Sequence, residues 1–295
     1  MLDLSGTGVA LVTPFQNNKI DFESLARLIH YVLDGGVDYI VSLGTTGEAI
    51  TLSAEECVEV LQFTRAVVND RVPIIAGHFG GNFTEKLYDR IANYDLTGIS
   101  AIMSSSPAYS KPAQEGIYQH YIRIADASPV PIMIYNVPGR TGSNVSAATI
   151  VRLANANPKF IAVKEASGDL AQAMQILKNK PDHFQVISGD DVLTLPLIAC
   201  GAVGVISVIA NAWPNTFSAM VTAARTGSFA QAKLLNDTLL DIHPWLYVEG
   251  NPAGIKTALH LKGLCSNEMR IPLVPLSPAA TSSLQQVIAD TGANW

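Results

Sequence analysis

The run Phe160-Ile-Ala-Val-Lys164-Glu-Ala-Ser167 sets an ammonium group behind four apolar residues. Burial strips a lysine of its hydration, and the usual escape is loss of the proton, which leaves a nucleophilic amine. Such an amine condenses with a carbonyl to form a Schiff base. The same stretch also allows Lys164 to lean into solvent or to pair with Glu165. In Gly44-Thr45-Thr46-Gly47-Glu48 two glycines enclose two hydroxyl residues. A tight turn of that kind offers backbone N–H groups and hydroxyls to an anion such as a carboxylate, or serves only to join a strand to a helix. No Gly-Lys-Ser/Thr follows, so it is not a nucleotide-phosphate loop. Tyr135-Asn-Val-Pro-Gly-Arg140-Thr-Gly142 supplies a phenol and a guanidinium. The phenol can relay protons beside an amine or sit as a core aromatic. The guanidinium suits a second carboxylate through bidentate contact, or a surface acid. Tyr109, held between Pro107 and Pro112, has the setting of an interface aromatic. Asp190 and Asp191 follow Ser188-Gly189. They could hold a divalent metal, but capping of the helix that follows is the better fit. The six histidines share no metal-ligand spacing, and His78 receives no role.

These residues need a frame that brings them together. A short apolar run ending in Gly, Ser, Thr or Asn, then a longer segment of helical period, recurs as far as Ser207. Strands are expected at Gly8–Val12, Tyr39–Leu43, Pro73–Ala76, Ile99–Met103, Pro131–Tyr135, Phe160–Lys164, Gln185–Ser188 and Val203–Ser207. Most are continuous aliphatic or β-branched runs, as in parallel strands covered on both faces. Asp21, Ser53 and Ser146 stand where helix N-caps belong. Eight strands alternating with eight helices, without a dinucleotide fingerprint after the first, predict an α/β fold, a closed (β/α)8 TIM barrel over residues 1–227. Every strand of such a barrel ends on one face, which would place Lys164 at the rim. From residue 228 the strands cease. Ser228–Tyr247, Pro252–Leu264 and Pro278–Thr291 read as helices, so 228–295 is expected to be a C-terminal helical appendage.

The chain has 295 residues, 48% hydrophobic and 15% charged, with a net charge of −6. No basic stripe exists to neutralise phosphates, which argues against nucleic acid as a partner. No apolar run reaches bilayer length and the N-terminus lacks signal-peptide character, so no membrane role and a cytoplasmic location are expected. Cys57, Cys200 and Cys265 are odd in number and without metal spacing, which predicts reduced thiols. Cys200, among small apolar residues, is expected to be a packing residue.

With Gly44–Glu48, Tyr135–Gly142 and Lys164–Gly168 in this order, nearly the whole chain resembles the dihydrodipicolinate synthase (4-hydroxy-tetrahydrodipicolinate synthase) family. That family lies in the pyruvate-dependent class I aldolase superfamily, which includes N-acetylneuraminate lyase. The resemblance implies a lyase of lysine and diaminopimelate biosynthesis that condenses pyruvate with L-aspartate 4-semialdehyde. No metal and no cofactor beyond the imine between pyruvate and Lys164 is implied. By position, Tyr135 would pass protons to and from the adduct. Thr45 would link Tyr135 to Tyr109 donated across a tight dimer interface of a homotetramer, a dimer of dimers. Thr46 would hold the pyruvate carboxylate, Arg140 the carboxylate of the aldehyde, and Gly189 and Ile206 would line the pyruvate pocket by backbone approach. Many bacterial members bind lysine as a feedback inhibitor. Here Asn82 matches that site, whereas Ala49, Ile50, Ala54, Cys57, Lys86 and Ala108 depart from it, and weak or absent lysine inhibition is expected. Two other activities fit the same frame: an aldolase for N-acetylneuraminate or a keto-deoxy sugar acid, and a non-catalytic pyruvate-binding barrel. Arg140-Thr-Gly142 and the paired threonines speak against the first. The presence of Lys164, Tyr135 and Tyr109 speaks against the second.

Overall fold

The computed structural model describes residues 2–292; the last three residues of the expected 228–295 appendage, 293–295, lie outside the described residues. Eight parallel strands close into a barrel: β1 (Gly6–Ala10), β4 (Tyr39–Ser42), β5 (Ile74–Ala76), β6 (Ala101–Ser105), β7 (Ile132–Asn136), β8 (Phe160–Glu165), β9 (Gln185–Ser188) and β10 (Gly204–Ser207). They follow one another around the barrel in chain order, with β10 pairing back onto β1 through Gly6↔Gly204 to Val9↔Ser207. All eight expected strands are present, Gln185–Ser188 with the expected bounds and the other seven shifted by one or two residues at one or both ends. One element was not foreseen. Phe15–Gln16 (β2) and Lys19–Ile20 (β3) form a small antiparallel hairpin. Its turn residues Asn17 and Asn18 have φ of 53° and 59°, the left-handed values that two-residue hairpin turns require and asparagine tolerates.

The helices begin where the sequence places them. Asp21 accepts from Ser24 N, Ser146 accepts from Thr149 N, and Ser53 with Glu56 forms a reciprocal capping box. Their apolar faces pack on the outside of the strands around Leu28, Ile40, Ile102, Ile134, Val163 and Val186. A second, inner core fills the barrel with Tyr39, Val41, Ile75, Met103, Met133, Ala162, Ile187 and Ile206. The barrel is therefore packed through its axis, and space remains only at the strand ends.

Three expectations are corrected. Ser228–Tyr247 is two helices, Phe229–Leu240 and His243–Tyr247. Pro244 has no N–H to donate and is tolerated only in a first helical turn, so the break falls just before it. Cys200 is exposed, whereas Cys57 and Cys265 are buried. It caps the six-residue helix Thr194–Ala199, whose packed residues are Thr194, Leu197 and Ile198. The paired aspartates do not cap that helix. Asp191 accepts instead from Val208 N and Ile209 N (both 2.9 Å), at the turn that follows β10. Beyond residue 228 the described chain is helical, with Ala253–Leu261 and Pro278–Thr291 completing the region. Among the described residues no helix is long and apolar enough to cross a membrane.

His120 links this packing to pH. It is buried on the helix Gln114–Ala127, its Nδ1 lies 2.9 Å from Thr84 Oγ1, and its Nε2 has no partner. Burial pulls its pKa down from 6.5 to about 4. The unfolded chain therefore binds this proton more readily than the folded one, so the stability tied to neutral His120 is complete above pH 6.5 and is lost as pH falls toward 4. The loss amounts to at most about 3 kcal/mol. His120→Gln should flatten the fall of denaturant-unfolding free energy between pH 6.5 and 4. An unchanged slope would contradict the assignment.

Candidate active site

Whether Lys164 faces the barrel is decided by an irregularity in β8. Phe160 pairs with Ile132, but Met133 pairs with Ala162, so Ile161 is an extra residue in β8. Phe160 faces the outer core, Ile161 and Ala162 both join the inner one, and Val163 faces out again. Strict alternation from an outward Phe160 would have sent Lys164 outward too. The bulge reverses the parity and turns Lys164 into the barrel beside its register partner Tyr135. Lys164 is 5% exposed, and its Nζ lies 4.7 Å from the centroid of the Tyr135 ring. Glu165, one residue on, points the other way. Its carboxylate accepts from Asn136 Nδ2 (3.1 Å), Ser167 N (2.8 Å) and Gln172 Nε2 (3.2 Å). The solvent and Glu165 alternatives for Lys164 are thereby removed.

Lys164 stands in a cavity of about 770 Å3 at the carboxyl ends of the strands. Thr45, Thr46, Tyr135, Arg140 and Gly189 line the same cavity. Thr46 is buried in the turn after β4, and Thr13 Oγ1 steadies that turn by donating to Gly47 O (2.7 Å). Arg140 lies on the short helix Pro138–Thr141 after β7. Gly189 comes so close to β8 that a Cβ there would sit 2.6 Å from Ala166 Cβ and 3.1 Å from Lys164 Cγ. Its N–H donates to Glu165 O (2.7 Å). Only glycine leaves the lysine stem its space.

Two expected residues sit elsewhere. Ile206 is buried in the inner core and does not line this cavity; Val208, further along the same segment, does. Tyr109 is 92% exposed, with φ of 65° and its N–H donating to Thr141 O (2.9 Å), and a single chain does not bring it to Lys164. Thr45 and Tyr135 also line a neighbouring cavity of about 990 Å3, which holds Ala49, Ile50, Ala54, Cys57, Asn82 and Ala108. Lys86 is not in that wall; the guanidiniums there are Arg90 and Arg140.

The helical region contributes residues that no motif announced. Asn251, His243 and Tyr247 line the Lys164 cavity. Asn251 Nδ2 donates to Thr46 Oγ1 (3.0 Å). His243 is buried, and burial lowers its pKa against the pull of Asp191, whose carboxyl the same burial raises. The faintest of sequence signals, an Asn-Pro dipeptide between two apolar helices, marks Asn251. Beneath the threonine turn, Glu48 and Lys256 form an ion pair with both side chains fully buried. Burial raises the carboxyl and lowers the ammonium, while each partner opposes the shift of the other.

An internal amine, a phenol in contact with it, hydroxyl and backbone donors in a turn, and a guanidinium at the mouth suit carbonyl condensation with a small keto acid. Among the described residues no group of acidic, histidine and cysteine side chains is placed to hold a metal ion.

A model of the dihydrodipicolinate synthetase family matches residues 3–291. A Cytophaga hutchinsonii protein named 4-hydroxy-tetrahydrodipicolinate synthase is 47% identical over 282 residues, covering 95% of this chain and 94% of its own. One of the same name from Phocaeicola vulgatus is 48% identical over 273 residues, 92% of each chain. The crystal structure of the Acinetobacter baumannii dihydrodipicolinate synthase, complexed with pyruvate, superposes with a TM-score of 0.95 at 38% identity, covering 99% of this chain and 100% of that one.

Proposed function

The chain belongs to the dihydrodipicolinate synthetase family, and from that membership and the Lys164 cavity we propose that it condenses pyruvate with L-aspartate 4-semialdehyde to give 4-hydroxy-tetrahydrodipicolinate. The observation that carries the reading is Lys164 itself, buried at the rim, with its Nζ against the Tyr135 ring and the neighbouring Glu165 carboxylate engaged elsewhere.

The unprotonated amine attacks the keto carbon of pyruvate, and the carbinolamine loses water to give an iminium. Its electron withdrawal lets a methyl proton leave, forming an enamine. The methyl carbon then attacks the aldehyde, and the alkoxide formed takes up a proton. The amino group of the extended chain next adds to the imine carbon and expels the Lys164 amine, which closes the ring and frees the enzyme. Tyr135 carries the protons in these steps. Thr46 holds the pyruvate carboxylate, Arg140 receives the carboxylate of the aldehyde, and Gly189 keeps the lysine stem unobstructed. Ile206 supports the pocket from the layer below. The imine is the only covalent carrier the sequence of bonds requires.

Tyr109 enters this scheme from a second copy. Its exposure, its left-handed backbone and the exposed Ile50 (87%) beside the neighbouring cavity support a paired subunit on that face. We place the assembly as a dimer of such dimers. We divide each chain into a barrel up to residue 227 and a helical appendage from 228 onward, and the three free thiols fit a cytoplasmic location.

Borohydride trapping tests the central step. Pyruvate plus borohydride should leave a mass increment on the peptide carrying Lys164. The pyruvate-loaded enzyme should then turn over aspartate semialdehyde and not cleave N-acetylneuraminate. Cleavage of the sugar acid with no turnover of the semialdehyde would move the chain to the sugar-acid aldolases. Lysine should inhibit weakly or not at all. The neighbouring cavity presents Ala49, Ala54, Cys57 and Ala108, which offer an amino acid no polar side chain, and its two guanidiniums, Arg90 and Arg140, outnumber the single carboxylate Glu55. Half-inhibition by submillimolar lysine would contradict this.

A further inference from the structure

The threonine turn binds a carboxylate only if the Thr46 hydroxyl points its proton into the cavity. A hydroxyl has one proton to give and two lone pairs to offer. Among the described residues, Asn251 is the only side-chain partner of Thr46 Oγ1, and it approaches with its Nδ2–H (3.0 Å). One lone pair is thereby occupied, and the proton is left free for an incoming anion. We propose that Asn251 is a positioning residue for the reaction, fixing the Thr46 hydroxyl as a donor toward the keto-acid carboxylate. This rests on the proposed role of Thr46 and extends it to a residue outside the barrel.

The surroundings make Asn251 a suitable anchor. Asn251 is 7% exposed, its side chain lines the Lys164 cavity, and among the described residues its Oδ1 has no partner. Only Pro252, the N-cap, separates it from the helix Ala253–Leu261. Three residues into that helix, Lys256 is buried against Glu48 of the same turn and donates to Glu268 O (2.9 Å). Isolated charges are costly in such a place, and a paired one whose members come from different segments holds those segments in register. The threonine turn is thus tied twice to the helical region, once through its hydroxyl and once through its glutamate.

Reversing the hydrogen bond is the test. In Asn251→Asp a carboxylate replaces the donor, accepts a hydrogen bond from the Thr46 hydroxyl, and sets a like charge beside the keto-acid carboxylate. The pyruvate concentration giving half-maximal borohydride trapping should rise about 10- to 100-fold, with the limiting turnover changed by less than about 3-fold. Lowering the pH toward 4 protonates a large fraction of the new carboxyl and restores a donor, so the gap to the unaltered enzyme should narrow. The other titratable groups facing this cavity are Lys164, Tyr135, Arg140, Asp190, His243 and Tyr247. The same pH series on the unaltered enzyme removes their contribution. Asn251→Ala, checked by its melting temperature, gives a second measure: half-saturation should rise several-fold with no pH-dependent recovery. Unchanged half-saturation in both variants overturns the proposal. A fall in turnover alone, independent of pH, overturns it as well. Absence of any pyruvate adduct on the unaltered enzyme would instead defeat the underlying reading of the site.

Discussion

Lys164→Ala should abolish the trapped pyruvate adduct and lower turnover by at least about 10³-fold, because every later step proceeds through the imine. Lys164→Arg should fail equally. A guanidinium keeps the charge and length but does not lose its proton, so it has no lone pair to attack with. Neither change should harm the fold. Lys164 is 5% exposed and no carboxylate lines its cavity wall except Asp190, whose Oδ1 is already engaged by Val192 N. Among the described residues Lys164 makes no ion pair that the truncation would break, and its stem borders a cavity already open, so the melting temperature of Lys164→Ala should stay close to that of the parent chain. Mass spectrometry after borohydride, a turnover assay and a thermal melt read all three. Residual adduct in either variant would mean that another amine starts the reaction.

Tyr135→Phe should lower kcat by about 10²- to 10⁴-fold, the usual worth of a positioned proton carrier, with little change in the KM for pyruvate. The ring itself contacts Lys164 Nζ at 4.7 Å and would remain, so packing around the amine is preserved and only the hydroxyl is lost. The adduct should still form, more slowly. A variant with unimpaired turnover would show that protons travel by another route. Tyr109→Phe gives a related contrast. Tyr109 is 92% exposed in one chain, so a loss of turnover there is understandable only if a second subunit receives it. Enzyme diluted below its assembly concentration should show the same loss without any mutation.

Much of this was readable from residue order. Continuous aliphatic runs such as Ile132–Ile134 could only be strands covered on both faces, and eight of them with helices between admit few closures. The caps at Asp21, Ser53 and Ser146 are local chemistry, satisfied within three residues, and they appear as expected. Lys164, Tyr135, Thr45, Thr46, Arg140 and Gly189 meet in one cavity because parallel strands must all end on one face. The break before Pro244 is written in the proline itself, but the exposure of Cys200 and the true partners of Asp191 depend on contacts made elsewhere along the chain. No local pattern carries them.

Residue order by itself determined the barrel, the face on which chemistry occurs, and the kinds of group that reach it, since these follow from period, strand direction and side-chain type. Tertiary structure alone decided the rest. The extra residue Ile161 arises only when β8 is paired with β7, and it turns Lys164 inward where simple alternation would turn it out. Asn251 reaches Thr46 across 205 residues, because the helical region folds back over the strand ends. Both are matters of register between segments, and register is set by packing, which no single segment contains.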